Sequence, residues 1–178
     1  MRHLKDSGFV IKRTNLFDSD RFITFFTRNH GKAEMIARGV RKITSRRSSH
    51  IELLNLVNFQ SVKTKKNYVL CEIEVVDTFS VLKEDYAKIG AIFLICELVD
   101  KLCPVGVSHE DVFDLIKFTV DKLEKQDLSS TLFEFQIKLL TALGFWDERR
   151  KFRNNWEIDR YIENLTERKI KTKNIFKM

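Results

Sequence analysis

The sequence predicts an α+β protein in which a five-stranded antiparallel barrel over residues 1–80 precedes an all-helical domain over residues 81–178. Two observations predict this order. Apolar residues recur with a period of two up to about residue 79, and with a period of about 3.6 from about Glu84 onward. The net charge of +7 lies entirely within the first 80 residues, which contain 15 Lys or Arg against 8 Asp or Glu.

Strand periodicity and turn residues predict each strand of the barrel in turn. The first two strands and a turn at residues 29–31, which contains Gly31, are followed by a strand that alternates charged with small apolar residues. A long polar connection then separates the third strand from the fourth. This pattern favours a small closed barrel of the OB type, and a five-stranded SH3-like barrel fits almost as well. The predicted strands are residues 9–14, 21–27, 32–39, 53–62 and 68–76.

The helical half contains four predicted amphipathic helices. The first stops at Cys103 and Pro104, because proline cannot continue a helix. The third begins near Ser130 or Thr131, where Glu134 completes a capping box, and it ends at Gly144. The predicted helices begin near Glu84, near Ser108 and near Ser130, and the last covers Asp159–Lys169.

Basic side chains concentrate in the connection between the third and fourth strands. Hydroxyl residues are interleaved with these cations, a composition that can follow a phosphate backbone and donate hydrogen bonds to it. A second cluster lies at the turn between the fourth and fifth strands, where a tyrosine is a candidate for stacking on a base. The alternative is that both clusters are solvated loops that serve solubility. The candidate phosphate contacts are Arg38, Arg41, Lys42, Arg46 and Arg47 in the connection and Lys63, Lys65 and Lys66 at the turn, with Tyr68 as the stacking residue.

Several functional classes are disfavoured by the sequence. It contains no nucleotide-binding glycine loop, no metalloprotease motif and no nucleophile elbow, so we expect no enzymatic activity and no cofactor. Three cysteines without a C-x-x-C pair and four scattered histidines predict no metal site. No uncharged stretch is long enough to span a bilayer, and no apolar segment follows the basic start, so we expect a cytoplasmic protein.

The first 80 residues resemble the N-terminal domain of the bacterial recombination mediator family RecO. The resemblance depends on the order and spacing of "GFVIKRTN" from Gly8, "FFTRNHGK" from Phe25 and "ARGVRK" from Ala37. The helical half is similar through "LLTALGF" from Leu139 and the segment "DRYIENLTERKIKTKNIF" from Asp159. Nearly the whole chain is therefore covered.

The resemblance implies an OB-fold domain followed by a helical domain, and it implies a function in DNA repair and recombination. Members of the family bind single- and double-stranded DNA, anneal complementary strands and cooperate with RecR and the single-strand-binding protein in loading RecA. We accordingly expect association with the nucleoid. The residues alone leave open a second interpretation, an RNA-binding OB module or a protein-interaction adaptor in which the basic loop meets an acidic tail.

Two features of the C-terminal half bear on partners. Many RecO members carry a cysteine-rich zinc knuckle after "ALGF", whereas this chain passes directly through residues 147–159 without a cysteine. We therefore expect no stoichiometric zinc. The final basic block could hold the acidic C-terminal tail of the single-strand-binding protein, or it could be an ordinary helix end favoured by the helix dipole. Its residues are Arg168, Lys169, Lys171 and Lys173.

Overall fold

The computed structural model describes residues 3–146 and 151–176. Part of the segment that follows Trp146, residues 147–150, lies outside the described residues. Two compact units emerge, one formed by the chain up to Phe79 together with Cys103–Glu110, and the other by Ser80–Leu102 and the chain from Asp111 onward. The first unit contains strands β1 (His3–Leu16), β2 (Asp20–Thr27), β3 (Gly31–Ala37), β4 (Leu56–Lys63) and β5 (Tyr68–Asp77).

The five strands form a closed barrel in the order β1-β2-β3-β5-β4. Strand β1 is long enough to pair with β2 through its second half and with β4 through its first half. Closure comes from a short parallel seam between β3 and β5, in which Met35 pairs with Tyr68 and Ile36 with Val69. This is the OB arrangement, and it removes free sheet edges. The predicted OB-type barrel is therefore confirmed, and its one parallel pair was not predicted.

Alternation along β2 decides which aromatic residues fill the barrel. Ile23 and Phe25 belong to the barrel core, where the Phe25 ring stacks on that of Phe59 with 4.7 Å between ring centroids. Phe22 and Phe26 lie on the opposite face of the strand. Phe26 is nevertheless fully buried, so it offers no surface on which a base could stack.

Strand β3 is less exposed than its charge pattern predicts. The segment Cys103–Glu110 lies beside it, and the Gly106 amide donates to the Lys32 carbonyl at 2.9 Å. A bridge between Lys32 and Val105 continues this contact, and Lys32 is buried. The alternation of charged and small apolar residues predicts that the charged side chains of this strand are exposed, and this is wrong at Lys32, because the segment Cys103–Glu110 covers that position.

The second unit is helical. It opens with a short 3-10 helix, Ser80–Glu84, and helix α1 supplies much of its core. None of the helices that the structure describes is long and apolar enough to cross a membrane. The helices are α1 (Tyr86–Leu102), α2 (Glu110–Lys125), α3 (Leu128–Ala142), α4 (Asn155–Thr166) and α5 (Lys171–Phe176).

Two helix boundaries differ from those predicted. Helix α3 is capped by Asp127, whose carboxylate accepts a hydrogen bond from the Ser130 amide, and not by a serine or threonine further along. The last predicted helix, Asp159–Lys169, corresponds to α4, which begins four residues earlier at Asn155 and ends at Thr166, because Glu167 adopts a left-handed conformation with φ of 53°. The separate short helix α5 follows and was not predicted. The basic block therefore spans a turn and a second short helix.

A partly buried carboxylate on α1 holds the start of α5. The Glu97 side chain accepts hydrogen bonds from the Lys171 and Thr172 amides, each at 2.8 Å, and from the Thr172 hydroxyl at 2.6 Å. It also pairs with Lys101 at 2.9 Å. Burial works to raise the pKa of Glu97, but the hydrogen bonds from Thr172, Lys171 and Lys101 outweigh it and hold the pKa below its ordinary value.

We expect Glu97→Gln to destabilise the protein by about 1–3 kcal/mol at neutral pH, because a charged acceptor of several donors is lost. A lowered pKa in the folded state contributes stability above the ordinary glutamate value of about 4.3, and this contribution disappears as the pH falls through the lowered value. Urea unfolding between pH 7 and pH 2 should therefore show wild type and variant converging in acid. Glu124→Gln, on an exposed position of α2, is the control. A constant difference across this range would contradict the assignment.

Candidate nucleic-acid interface

The connection from β3 to β4, residues 38–55, is fastened to the turn between β1 and β2. The Gly39 amide donates to the Asp20 carboxylate at 2.8 Å, and the Arg41 amide donates to the Ser19 carbonyl at 2.9 Å. The two segments enclose an open groove of about 650 Å³. Its lining residues are Ser19, Asp20, Arg38, Gly39, Lys42, Thr44, Ser45, Arg46 and Arg47.

Three of the predicted cations line this groove and can interact with a bound anion. Arg38, Lys42 and Arg46 are exposed, and their side chains have no hydrogen-bond or ion-pair partner among residues 3–146 and 151–176. Thr44 and Ser45 add hydroxyl groups to the same surface. An open groove lined by three exposed cations and by hydroxyl donors suits a chain of phosphates.

The other two cations of the connection contribute to the fold. The Arg41 guanidinium donates to the Phe17 carbonyl at 2.9 Å. The Arg47 guanidinium donates to the Arg38 carbonyl at 2.9 Å and to the Cys71 carbonyl at 3.5 Å. Because Cys71 lies on β5, Arg47 links the end of β3 to β5 just beyond their short parallel seam. The sequence predicts the same role, phosphate binding, for all five cations. In the structure, Arg41 and Arg47 donate hydrogen bonds to backbone carbonyls, whereas the other three are exposed at the groove.

The second basic cluster lies at the other end of the same seam. Lys63, Lys65 and Lys66 are exposed at the β4–β5 turn, and the Lys63 ammonium lies 5.7 Å from the centroid of the Tyr68 ring. Tyr68 pairs with Met35, three residues before Arg38, so the turn and the groove are separated by at least about 10 Å of strand at ~3.3 Å per residue. The two clusters flank the seam without a described contact between them.

Two exposed apolar residues that the sequence did not single out lie next in the chain to the groove segments, although neither is part of the groove lining. Phe17, in the β1–β2 turn, is 83% exposed, and Ile43, which follows Lys42, is fully exposed. The signal available for Phe17 was an aromatic residue within the polar turn that ends at Asp20. In the neighbouring strand β2, by contrast, Phe22 is partly buried and Phe26 is fully buried.

Much of the C-terminal basic block is held by acidic residues of its own unit. Lys169 pairs with Glu163 at 3.1 Å, and Lys173 pairs with Asp159. Arg168 and Lys171 are exposed, and neither side chain has a carboxylate partner among the described residues. The block is thus partly neutralised, in contrast to the groove of the barrel.

A surface cavity of about 980 Å³ adjoins this block within the helical unit. Its wall combines apolar and aromatic side chains with cations and with the carboxylates of Asp159 and Glu163. Lys169 and Lys173 lie on its lining, and so does Arg160, whose guanidinium carbon stands 5.0 Å from the centroid of the Trp156 ring. Tyr86, Leu132, Trp156 and Ile170 are among its apolar lining residues.

Within residues 3–146 and 151–176, no three His, Cys, Asp or Glu side chains are placed to hold a metal ion. None of the three cysteines forms a disulfide, and Cys71 is exposed whereas Cys96 and Cys103 are buried.

Comparison with known proteins identifies one family across most of the chain. A model described as Recombination protein O N terminal matches residues 1–79, and one described as Recombination protein O C terminal matches residues 83–146. Among curated proteins, the DNA repair protein RecO of Symbiobacterium thermophilum is 31% identical over 140 residues, which cover 78% of this chain and 55% of that protein. The RecO proteins of Pelotomaculum thermopropionicum and Clostridium acetobutylicum are 27% and 30% identical, and both alignments cover 82% of this chain.

These relatives are longer than this chain. The alignments cover 57% of the Pelotomaculum protein and 60% of the Clostridium protein. The chain therefore spans somewhat more than half the length of the curated relatives it matches.

Proposed function

Since this chain belongs to the recombination protein O family, we propose that it acts in DNA repair by binding single-stranded DNA on its OB barrel and annealing complementary strands, without catalysing a covalent reaction. The observation that carries this proposal is the groove lined by Arg38, Lys42 and Arg46, whose side chains have no hydrogen-bond or ion-pair partner in the described part of the chain. Phosphates would replace the counterions that these side chains now attract, and this gain is independent of base sequence.

The proposal extends to the partners that the family resemblance implies. The same cations can contact either strand of a duplex, so double-stranded DNA is also a ligand. We propose cooperation with RecR and the single-strand-binding protein in loading RecA, on the DNA of the nucleoid in the cytoplasm. The wide apolar cavity of the helical unit is a candidate surface for one protein partner.

An annealing assay tests the central proposal. Complementary strands coated with the single-strand-binding protein should anneal faster in the presence of this protein, because binding two strands at once raises their local concentration. Tight binding to RNA without acceleration of annealing would instead favour the alternative of an RNA-binding module. Absence of binding to either nucleic acid would favour the protein-interaction adaptor.

The cavity beside the basic block suits the acidic tail of the single-strand-binding protein. An acidic peptide with an apolar end needs cations at a rim and an apolar wall, and the cavity offers Lys169 and Arg160 with Trp156 and Ile170. Lys169 is available although it pairs with Glu163, because an ion pair at an exposed lysine is weak. Arg168 and Lys171 are exposed nearby in sequence. Lys173 is less available, since it is largely buried against Asp159.

We expect Arg168→Ala with Lys169→Ala to weaken binding of an acidic tail peptide by about 3- to 10-fold, because each exposed charge contributes up to about 1 kcal/mol. Fluorescence anisotropy of a labelled peptide measures this change. Binding to naked single-stranded DNA should remain at the wild-type level. Lys117→Ala with Lys125→Ala, exposed positions on α2, is the matched control. Equal loss of peptide and DNA binding would show that the block contacts phosphates.

A further inference from the structure

Phe17 is the most exposed aromatic residue that the structure describes, at 83%. Its backbone φ is 51°, in the left-handed region that bulky residues rarely adopt. A strained conformation that turns a large apolar side chain toward water persists only where the surrounding structure imposes it. Burial of apolar surface cannot explain why this phenylalanine is both exposed and held in a left-handed conformation.

The surrounding contacts do impose the conformation of this turn. The Arg41 guanidinium holds the Phe17 carbonyl at 2.9 Å, and the Arg41 amide holds the Ser19 carbonyl at 2.9 Å. The Asp20 carboxylate accepts from the Gly39 amide at 2.8 Å. The basic connection thus fastens the turn at three points. Phe17 lies two residues before Ser19, the first residue of the groove lining, and the exposed Asp18 separates them.

We propose that Phe17 is a stacking platform for a base of single-stranded DNA whose phosphates lie in the groove of Arg38, Lys42 and Arg46. This inference rests on the proposed function and specifies how single strands are recognised. An aromatic face stacks on any base, so it adds affinity without sequence preference. In a duplex the bases are already stacked on one another. Phe17 therefore discriminates in favour of single strands, which the groove cations alone cannot do.

The other aromatic residues of the barrel are less suited to this task. Phe26 is fully buried, and Phe25 stacks on Phe59 in the core. Tyr68 is half-buried, with the Lys63 ammonium over its ring. Ile43 is exposed beside the groove and provides an apolar contact for a neighbouring base, but it has no aromatic face.

The test replaces Phe17 without disturbing the turn. Phe17→Asn removes the ring, and asparagine tolerates left-handed backbone, so the variant should melt no lower than wild type. Phe17→Trp retains a stacking face. Binding is measured by anisotropy at several salt concentrations, on oligothymidylate and on an abasic strand of equal length. Phe118→Ala, which truncates an exposed phenylalanine of the helical unit, is the control.

We expect Phe17→Asn to lower affinity for oligothymidylate by about tenfold, while the slope of log affinity against log salt stays unchanged because no phosphate contact is lost. Wild type should prefer oligothymidylate to the abasic strand by about the same factor, and Phe17→Asn should abolish that preference. Phe17→Trp should restore affinity, and its added fluorescence should be quenched by DNA.

The outcomes separate this inference from the proposed function. If wild type binds single strands with a clear salt dependence and Phe17→Asn binds equally well, the stacking inference is overturned and the groove proposal stands. Equal affinity of wild type for the base-bearing and abasic strands would likewise overturn the stacking inference and leave the groove proposal standing. If wild type binds neither strand, the proposed DNA binding fails, and the inference that rests on it fails too.

Discussion

Removing the groove cations Arg38, Lys42 and Arg46 should reduce both the affinity for single-stranded DNA and its dependence on salt. With Arg38, Lys42 and Arg46 all changed to Ala, the slope of log affinity against log salt should flatten by about 2, since each phosphate contact on a single strand contributes about 0.7. Affinity at low salt should fall by about 100-fold. Since each tenfold change corresponds to roughly 1.4 kcal/mol of binding free energy, this loss equals about 3 kcal/mol for the three contacts together. Measurement by anisotropy at four or five salt concentrations gives both quantities.

The matched control removes the same number of charges from the helical unit. Lys117, Lys125 and Lys151 are exposed, and their replacement by Ala lowers the net charge equally. Both variants lose the same net charge, so the long-range attraction of DNA weakens equally in both. Any additional loss of affinity in the groove variant therefore measures the local phosphate contacts of the groove. A slope that is the same in the groove variant as in wild type would contradict the proposed interface and leave the +7 of the barrel as a solubility feature.

Arg47 provides an internal contrast within the same loop. Its guanidinium donates to the Arg38 and Cys71 carbonyls, so Arg47→Ala should lower the melting temperature, whereas the three groove substitutions should leave it almost unchanged. Loss of affinity in the groove variant could then not be attributed to unfolding.

Gly31→Ala should destabilise the protein by about 3 kcal/mol or more. A Cβ atom at this position would lie 1.7 Å from the Val107 carbonyl oxygen, and the obstacle is backbone that cannot rotate away. The residue also has a φ of +64°, which alanine adopts only with strain. The segment Cys103–Glu110 would have to leave its place beside β3. Urea unfolding monitored by circular dichroism measures the loss.

Gly106→Ala separates the two causes. Gly106 also has a positive φ, +75°, but a Cβ there would meet no atom within 4 Å. Gly106→Ala should therefore destabilise the protein only through the cost of placing alanine at a positive φ, which is about 1 kcal/mol. Equal destabilisation by the two substitutions would show that the segment yields easily and that the close approach of Val107 to Gly31 contributes nothing.

The elements that follow from local sequence patterns were largely predictable. Alternation along β2 and the turn ending at Gly31 indicate a hairpin, and the structure pairs β2 with β3 from Arg21 to Thr27. Five strands with one long polar connection favour the OB barrel that the structure shows. Helix ends were less predictable, because Asp127 and Ser130 are both good capping residues and only the fold selects between them.

The location of the candidate site was predictable from the sequence, but the role of each of its residues was less predictable. The charge count places a basic surface on the first 80 residues, and the clustering of arginines indicates the connection after β3. Nothing in the local sequence distinguishes Arg46 from Arg47. The difference arises because only Arg47 reaches a carbonyl on β5, which is 24 residues away in the chain.

The sequence by itself determined the period of each segment, the separation of charge and the family, since these are properties of neighbouring residues and of their order. Tertiary structure decided which arginines of the basic connection donate to backbone carbonyls, why Lys32 is buried and why Phe17 is exposed. Each of these depends on a contact between residues far apart in the chain, Arg41 with Phe17 or Gly106 with Lys32, and no local pattern encodes which distant backbone group will lie within hydrogen-bonding distance.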